Sequence, residues 1–153
     1  MAAVNGVEPF TDLAAVQEEV RRELGFRLFT VLALEDEGRI LTRVWSSEPE
    51  AYPVGGRKQV ATEISPDWVQ RCLVEQRSFF GATPEQVRQV FADHELITAL
   101  GCGSIINVPV VVGGETVGAL NILDAEGHYA ADSVRLAERI AERSAYAIER
   151  SVG

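Results

Sequence analysis

Residues Gly103 to Asp124, GSIINVPVVVGGETVGALNILD, constrain the fold more than any other stretch of the chain. Two runs dense in β-branched residues flank Gly113-Gly114, and two adjacent glycines suit a type I′ turn, whose central residues both need positive φ. Charge is nearly absent from the pair, so this hairpin belongs in a sheet covered on both faces. Two amides, Asn107 and Asn121, stand near its middle, where a hairpin built only for packing has little use for them. With regular pairing around a two-residue loop, Val112 faces Glu115, Asn107 faces Leu120, and Asn121 faces Ile106. Opposed residues share a face and successive residues alternate, so the two amides are expected on opposite faces, with at most one in any pocket.

The rest of the chain supplies helices and a second hairpin. Thr11 is a good N-cap for a helix whose stripe is Leu13, Val16, Val20 and Leu24, with Gly25 as its stop. Phe26 to Leu34 and Arg39 to Ser47 read as strands around an acidic turn containing Gly38. Glu48 to Gly56 is irregular. Three short helices follow, started by Ser65-Pro66-Asp67, by Thr83 and Gln86 at capping-box spacing, and by Asp93. A last helix is expected from about Ala131 to Arg150, with Val134, Ala137, Ile140, Ala141, Ala145 and Ile148 on its apolar face. Arg135/Glu138 and Arg139/Glu142 are spaced as ion pairs on its other side. Strands joined by hairpins and one long excursion, with no regular βαβ units, predict an α+β fold with an antiparallel sheet.

Length and charge narrow the function. At 153 residues and 46% hydrophobic content the chain reads as one domain, 1–153, with its core from about 11 to 150. No run approaches the roughly 20 apolar residues of a membrane span, and MAAVNGVEPF lacks the blocks of a secretory signal. A cytoplasmic setting with no membrane partner is expected. A net charge of −9 repels phosphate backbones and argues against nucleic acid. Cys72 and Cys102 are not at metal spacing and read as separate reduced thiols.

The order of elements, the stretch GSIINVPVVVGGETVGALNILD and the following HYAAD together resemble a GAF domain over nearly the whole chain. The strings RLFTVL, SSEPEAYPVGGRK, DHELI and GSIINVPV are similar to a group of small single-domain bacterial GAF proteins. The resemblance implies an antiparallel sheet with the N- and C-terminal helices on one face and a small-molecule pocket under short helices on the other. It implies a sensory or regulatory binding module and a homodimer formed through the terminal helices. It also makes the face of Ile105, Asn107, Leu120 and Ile122 the ligand side, which favours Asn107 over Asn121. Three specialised GAF readings are demoted: no Cys adjoins Asp93-His94 as a bilin anchor, two cysteines do not make a methionine sulfoxide reductase trio, and the cyclic-nucleotide signature is missing. No cofactor is named.

The candidate ligand-binding residues are Tyr52, Arg57, Lys58, Asp93, His94, Ser104, Asn107 and Asn121. In Tyr52-Pro-Val-Gly-Gly-Arg57-Lys58, two glycines permit close approach and two cations follow, which in an acidic chain points to an anionic ligand group; a solvated surface loop is the plain alternative. Asp93 reads as an N-cap before an acid catalyst, and His94 either lines the pocket or sits in solvent. Cys72 reads as packing, with Cys102, between two glycines, the better placed of the two thiols. Two functions follow: a module binding a small anionic metabolite, or a small enzyme acting on a polar carboxylate-like metabolite through His, Tyr or Cys.

Overall fold

The structure, a computed structural model, describes residues 8–90 and 94–152. Asp12, not Thr11, caps helix α1 (Leu13–Glu23), its carboxylate accepting from the Ala15 amide at 2.9 Å. Leu13, Val16 and Val20 form the buried stripe, and Gly25 ends the run at φ +73°. Strands β1 (Leu28–Glu35) and β2 (Ile40–Ser46) make the first hairpin.

The excursion begins with β3 (Arg57–Gln59), so Arg57 and Lys58 lie on an edge strand and not in a loop. Helical turns α2 (Val60–Glu63) and α3 (Pro66–Trp68) follow, the second capped by Ser65 as its sequence predicts. That turn runs on as a π-helical stretch, Val69–Val74, in which the Glu75 amide reaches the Gln70 carbonyl at 2.8 Å. Next come β4 (Phe79–Gly81), α4 (Pro84–Val90) with the Thr83–Gln86 capping box formed, and α5 (His94–Ala99).

The second hairpin pairs β5 (Ser104–Val112) with β6 (Glu115–Asp124) around Gly113 and Gly114, at φ +58° and +80°. The expected single last helix is two, α6 (Ala131–Glu142) and α7 (Ala145–Val152). Ser144 lies in the break, fully buried, and its hydroxyl donates to the Ile140 carbonyl at 2.7 Å, the local competition that bends or ends helices. Arg135 pairs with Asp132 instead of Glu138, which accepts from the Ser78 hydroxyl at 2.6 Å.

The six strands form one antiparallel sheet in the order β3-β2-β1-β6-β5-β4. Helices α1, α6 and α7 cover one face, burying Phe29, Val31, Ile106, Val108, Leu120 and Ile122. On the other face the excursion packs two separate apolar groups, one around Tyr52, Leu28 and Ile105, the other around Trp68, Leu41 and Ala119. The architecture is the α+β one expected.

The register of the β5–β6 hairpin differs from the regular pairing in one respect with large consequences. Val112 does face Glu115 and Val111 faces Thr116, but Val110 faces Gly118, leaving Val117 as an extra residue in a β-bulge. Beyond the bulge Ile106 pairs with Ile122, and Asn107 pairs directly with Asn121. A one-residue slip exchanges the faces of a strand. Asn107 and Asn121 therefore point to the same side, and on β6 the excursion face carries Asn121 and Leu123, while Leu120 and Ile122 face the terminal helices.

Candidate functional site

The gap between the two apolar groups is a pocket of about 370 Å³, within the size of small-molecule sites. Its floor is the sheet, through Leu28, Thr30 and Leu32 of β1, Leu41 and Arg43 of β2, and Asn121 and Leu123 of β6. Tyr52 and Gly56 close one side, Glu63, Ser65 and Trp68 another, and Ile97 of α5 a third.

Positive charge gathers at the β2–β3 end, where Arg43, Arg57 and Lys58 all line the pocket. Arg43 stands two residues after Leu41, so the pleat gives both the same face. Its guanidinium lies 4.2 Å from the centre of the Tyr52 ring, and Nη1 donates to the Pro53 carbonyl at 3.0 Å. Lys58 pairs with Leu41 and shares its face, half-buried, whereas Arg57 pairs with Thr42 and is exposed. Glu63, the carboxylate opposite, already accepts from the Gln59 amide at 2.7 Å.

Across the floor runs a line of side-chain hydrogen bonds. The Trp68 indole N–H donates to Asn107 Oδ1 at 3.1 Å, Asn107 Nδ2 donates to Asn121 Oδ1 at 2.6 Å, and Asn121 Nδ2 donates to Thr30 Oγ1 at 3.1 Å. All four residues are at least nine-tenths buried. Register sets the line up, since Thr30 pairs with Asn121 across β1–β6 and Asn121 with Asn107 across β6–β5.

The structure thus brings Tyr52, Arg57, Lys58, Asn107 and Asn121 to one region, Asn107 as a buried support beneath Trp68. Ser104 is elsewhere: its hydroxyl donates to the carbonyls of Asp124 at 3.3 Å and Ala125 at 2.8 Å, clamping the end of the hairpin. His94 opens α5, with its side chain outside the description, and Asp93 lies outside the described residues. Thr30, Arg43 and Trp68 escaped the sequence reading. Only Arg43 carried a signal, a cation in the middle of an otherwise uncharged strand.

Both cysteines are free and buried. Burial pushes the Cys72 thiol up to about 12 and the Cys102 thiol up to about 11, the latter helped by the nearby Asp124 carboxylate. Neither lines the pocket. Among the described residues no cluster of three His, Cys, Asp or Glu side chains could hold a metal, and no helix is long and apolar enough to cross a membrane.

An antiparallel sheet with terminal helices on one face and a pocket under a helical excursion on the other is the arrangement of small-molecule-binding sensory domains of GAF type. The GAF domain family model matches residues 13–149, and the chain belongs to that family. No protein of curated function matches the chain in sequence. Among solved structures it is similar to the GAF domain of a two-component sensor histidine kinase from Bacillus halodurans, with TM-score 0.71 and 18% identity over 90% of this chain and 91% of that one. A far-red cyanobacteriochrome photoreceptor matches with TM-score 0.67 and 16% identity, covering 92% of this chain and 86% of the other. A type II free methionine-R-sulfoxide reductase from Thermoplasma acidophilum matches with TM-score 0.62 and 17% identity, over 90% and 89%. At these identities the likeness is one of fold.

Proposed function

We propose that this GAF domain binds a small anionic metabolite in the pocket between sheet and excursion and serves a sensory or regulatory role. The observation that carries the reading is the gathering of Arg43, Arg57 and Lys58 along one end of an otherwise mostly apolar pocket, in a chain of net charge −9. A guanidinium and an ammonium at the edge of a low-dielectric cavity suit a carboxylate, and the leucines and isoleucines beyond suit a short hydrocarbon body. The domain works in a reducing, cytoplasmic setting where both cysteines stay thiols, and it acts as a homodimer through its terminal helices. A thermal-shift screen of short carboxylates against their neutral primary amides tests the ligand class, since a ligand stabilises the fold by mass action. Carboxylates should raise the melting temperature where the amides do not; equal shifts from both would overturn the anionic assignment.

A second reading, a GAF-fold enzyme acting on a polar carboxylate-like metabolite, draws on the fold shared with the methionine-R-sulfoxide reductase. Two buried thiols held well above their ordinary range speak for binding over thiol chemistry. Reduction of free methionine sulfoxide by the purified protein with a dithiol would favour the enzyme; no turnover favours the sensor.

A further inference from the structure

The hydrogen-bond line across the pocket floor has a direction, and the direction specifies what the floor can bind. An indole nitrogen only donates. Trp68 therefore obliges Asn107 to turn its oxygen toward the indole and its amino group toward Asn121. Asn121 must then meet that amino group with its oxygen, which leaves its own amino group for Thr30. Thr30 Oγ1 is thereby used as an acceptor, and its O–H proton has no acceptor among the described residues. Thr30 is 4% exposed and faces the pocket, as does Asn121, whose amide keeps a second N–H. A buried hydroxyl proton with nothing to donate to is costly unless something entering the pocket receives it.

We propose that Thr30, with Asn121 beside it, is a specificity subsite that only donates and that reads an uncharged acceptor oxygen, a ketone or amide carbonyl, on the ligand. This rests on the reading above that the ligand's anionic group lies at Arg43 and Lys58. Leu32, two residues along β1 from Thr30, pairs with Arg43, so subsite and cations are separated by about two residues of strand, roughly 7 Å, and one interstrand step. A short oxo acid or N-acyl amino acid spans that gap. The indole fixes the amide orientations from a distance, so Asn107 and Trp68 are positioning residues for the subsite.

The test uses three matched probes on the full chain: short oxo carboxylates, the alkanoates of equal length, and the corresponding neutral ketones. Affinities are followed by thermal shift and by the NMR signals of the Asn121 and Asn107 side-chain amides. Oxo acids are expected to bind about tenfold more tightly than alkanoates, one hydrogen bond's worth, and to move the Asn121 amide signal. Thr30→Val keeps the shape but removes both the proton and the acceptor of the Asn121 amide, and should erase that preference, leaving oxo acid and alkanoate bound alike; Thr30→Ser keeps both groups, should retain the preference and controls for folding. Equal binding of oxo acid and alkanoate, or a preference that survives Thr30→Val, overturns the subsite while leaving the anionic site intact. Ketones binding as well as oxo acids would keep the subsite and remove the anionic reading. No response to any oxo acid overturns the proposal.

Discussion

Lys58 and Arg57 are neighbours in sequence that the pleat of β3 separates. Lys58 shares the pocket face of Leu41, while Arg57 is exposed, and its charge reaches Asp36, a carboxyl held below its usual range chiefly by the hydrogen bond from Arg39. Exposed charges are screened and contribute little. Calorimetric titration with a bound carboxylate should therefore show Lys58→Met losing ~1.5–3 kcal/mol and Arg57→Ala losing well under 1 kcal/mol; the reverse order would put the anion at the rim. The thiols make a separate prediction. Cys72 and Cys102 hold their protons up to about 12 and about 11 against an ordinary 9.0, whereas the unfolded chain releases them near 9.0. Above that pH the folded state binds more protons than the unfolded one, so stability falls as pH rises, by at most about 1.4 kcal/mol per unit for each thiol. Urea unfolding between pH 8 and 11 should show a flat stability up to about 9 and then a decline, and Cys72→Ala should flatten the decline even though its cavity lowers stability overall. A stability that rises through this window would contradict the burial argument.

Gly118 shows how one element depends on one residue. It sits in the interior of β6 beside the bulge, and a Cβ there would run into the Leu32 carbonyl oxygen of β1, with the Ile148 side chain at 3.2 Å behind it. Gly118→Ala should cost at least about 2 kcal/mol, whereas at Gly56 an added Cβ meets only the Arg43 guanidinium at 3.5 Å and Gly56→Ala should stay within about 0.5 kcal/mol. Chemical denaturation of the two variants settles it; similar midpoints would mean the sheet opens there cheaply. The same glycine marks where sequence reading ran out. Period-2 runs, Gly113-Gly114 and the caps at Ser65 and Thr83 were legible because each is a local rule that tertiary packing left alone. A glycine inside a strand is also a bulge signal, but regular pairing passed over it and sent Asn107 and Asn121 to opposite faces. Strands β3 and β4 were not legible because three residues at a sheet edge carry no periodicity of their own. The recognition residues shared that fate: Thr30 is an ordinary strand threonine until the register places it beside Asn121.

At the scale of the molecule, the helical layer decides how two copies could meet. Ala137 and Ala141 of α6 are 0% and 3% exposed, spent within the core that the terminal helices share with the sheet. Ala141→Glu would therefore unfold the domain and say nothing of assembly. What the helices leave outward is different: Tyr146 and Val152 of α7 are 41% and 46% exposed, apolar side chains on the C-terminal helix. A homodimer through the terminal helices would bury them. Light scattering on the purified chain at micromolar concentration should give twice 16.7 kDa, and Tyr146→Glu, a change at an exposed position that leaves the core untouched, should shift the mass to that of the monomer with its melting temperature little changed. A wild-type mass of 16.7 kDa would rule the dimer out. A dimer indifferent to Tyr146→Glu and Val152→Glu would move the interface off α7.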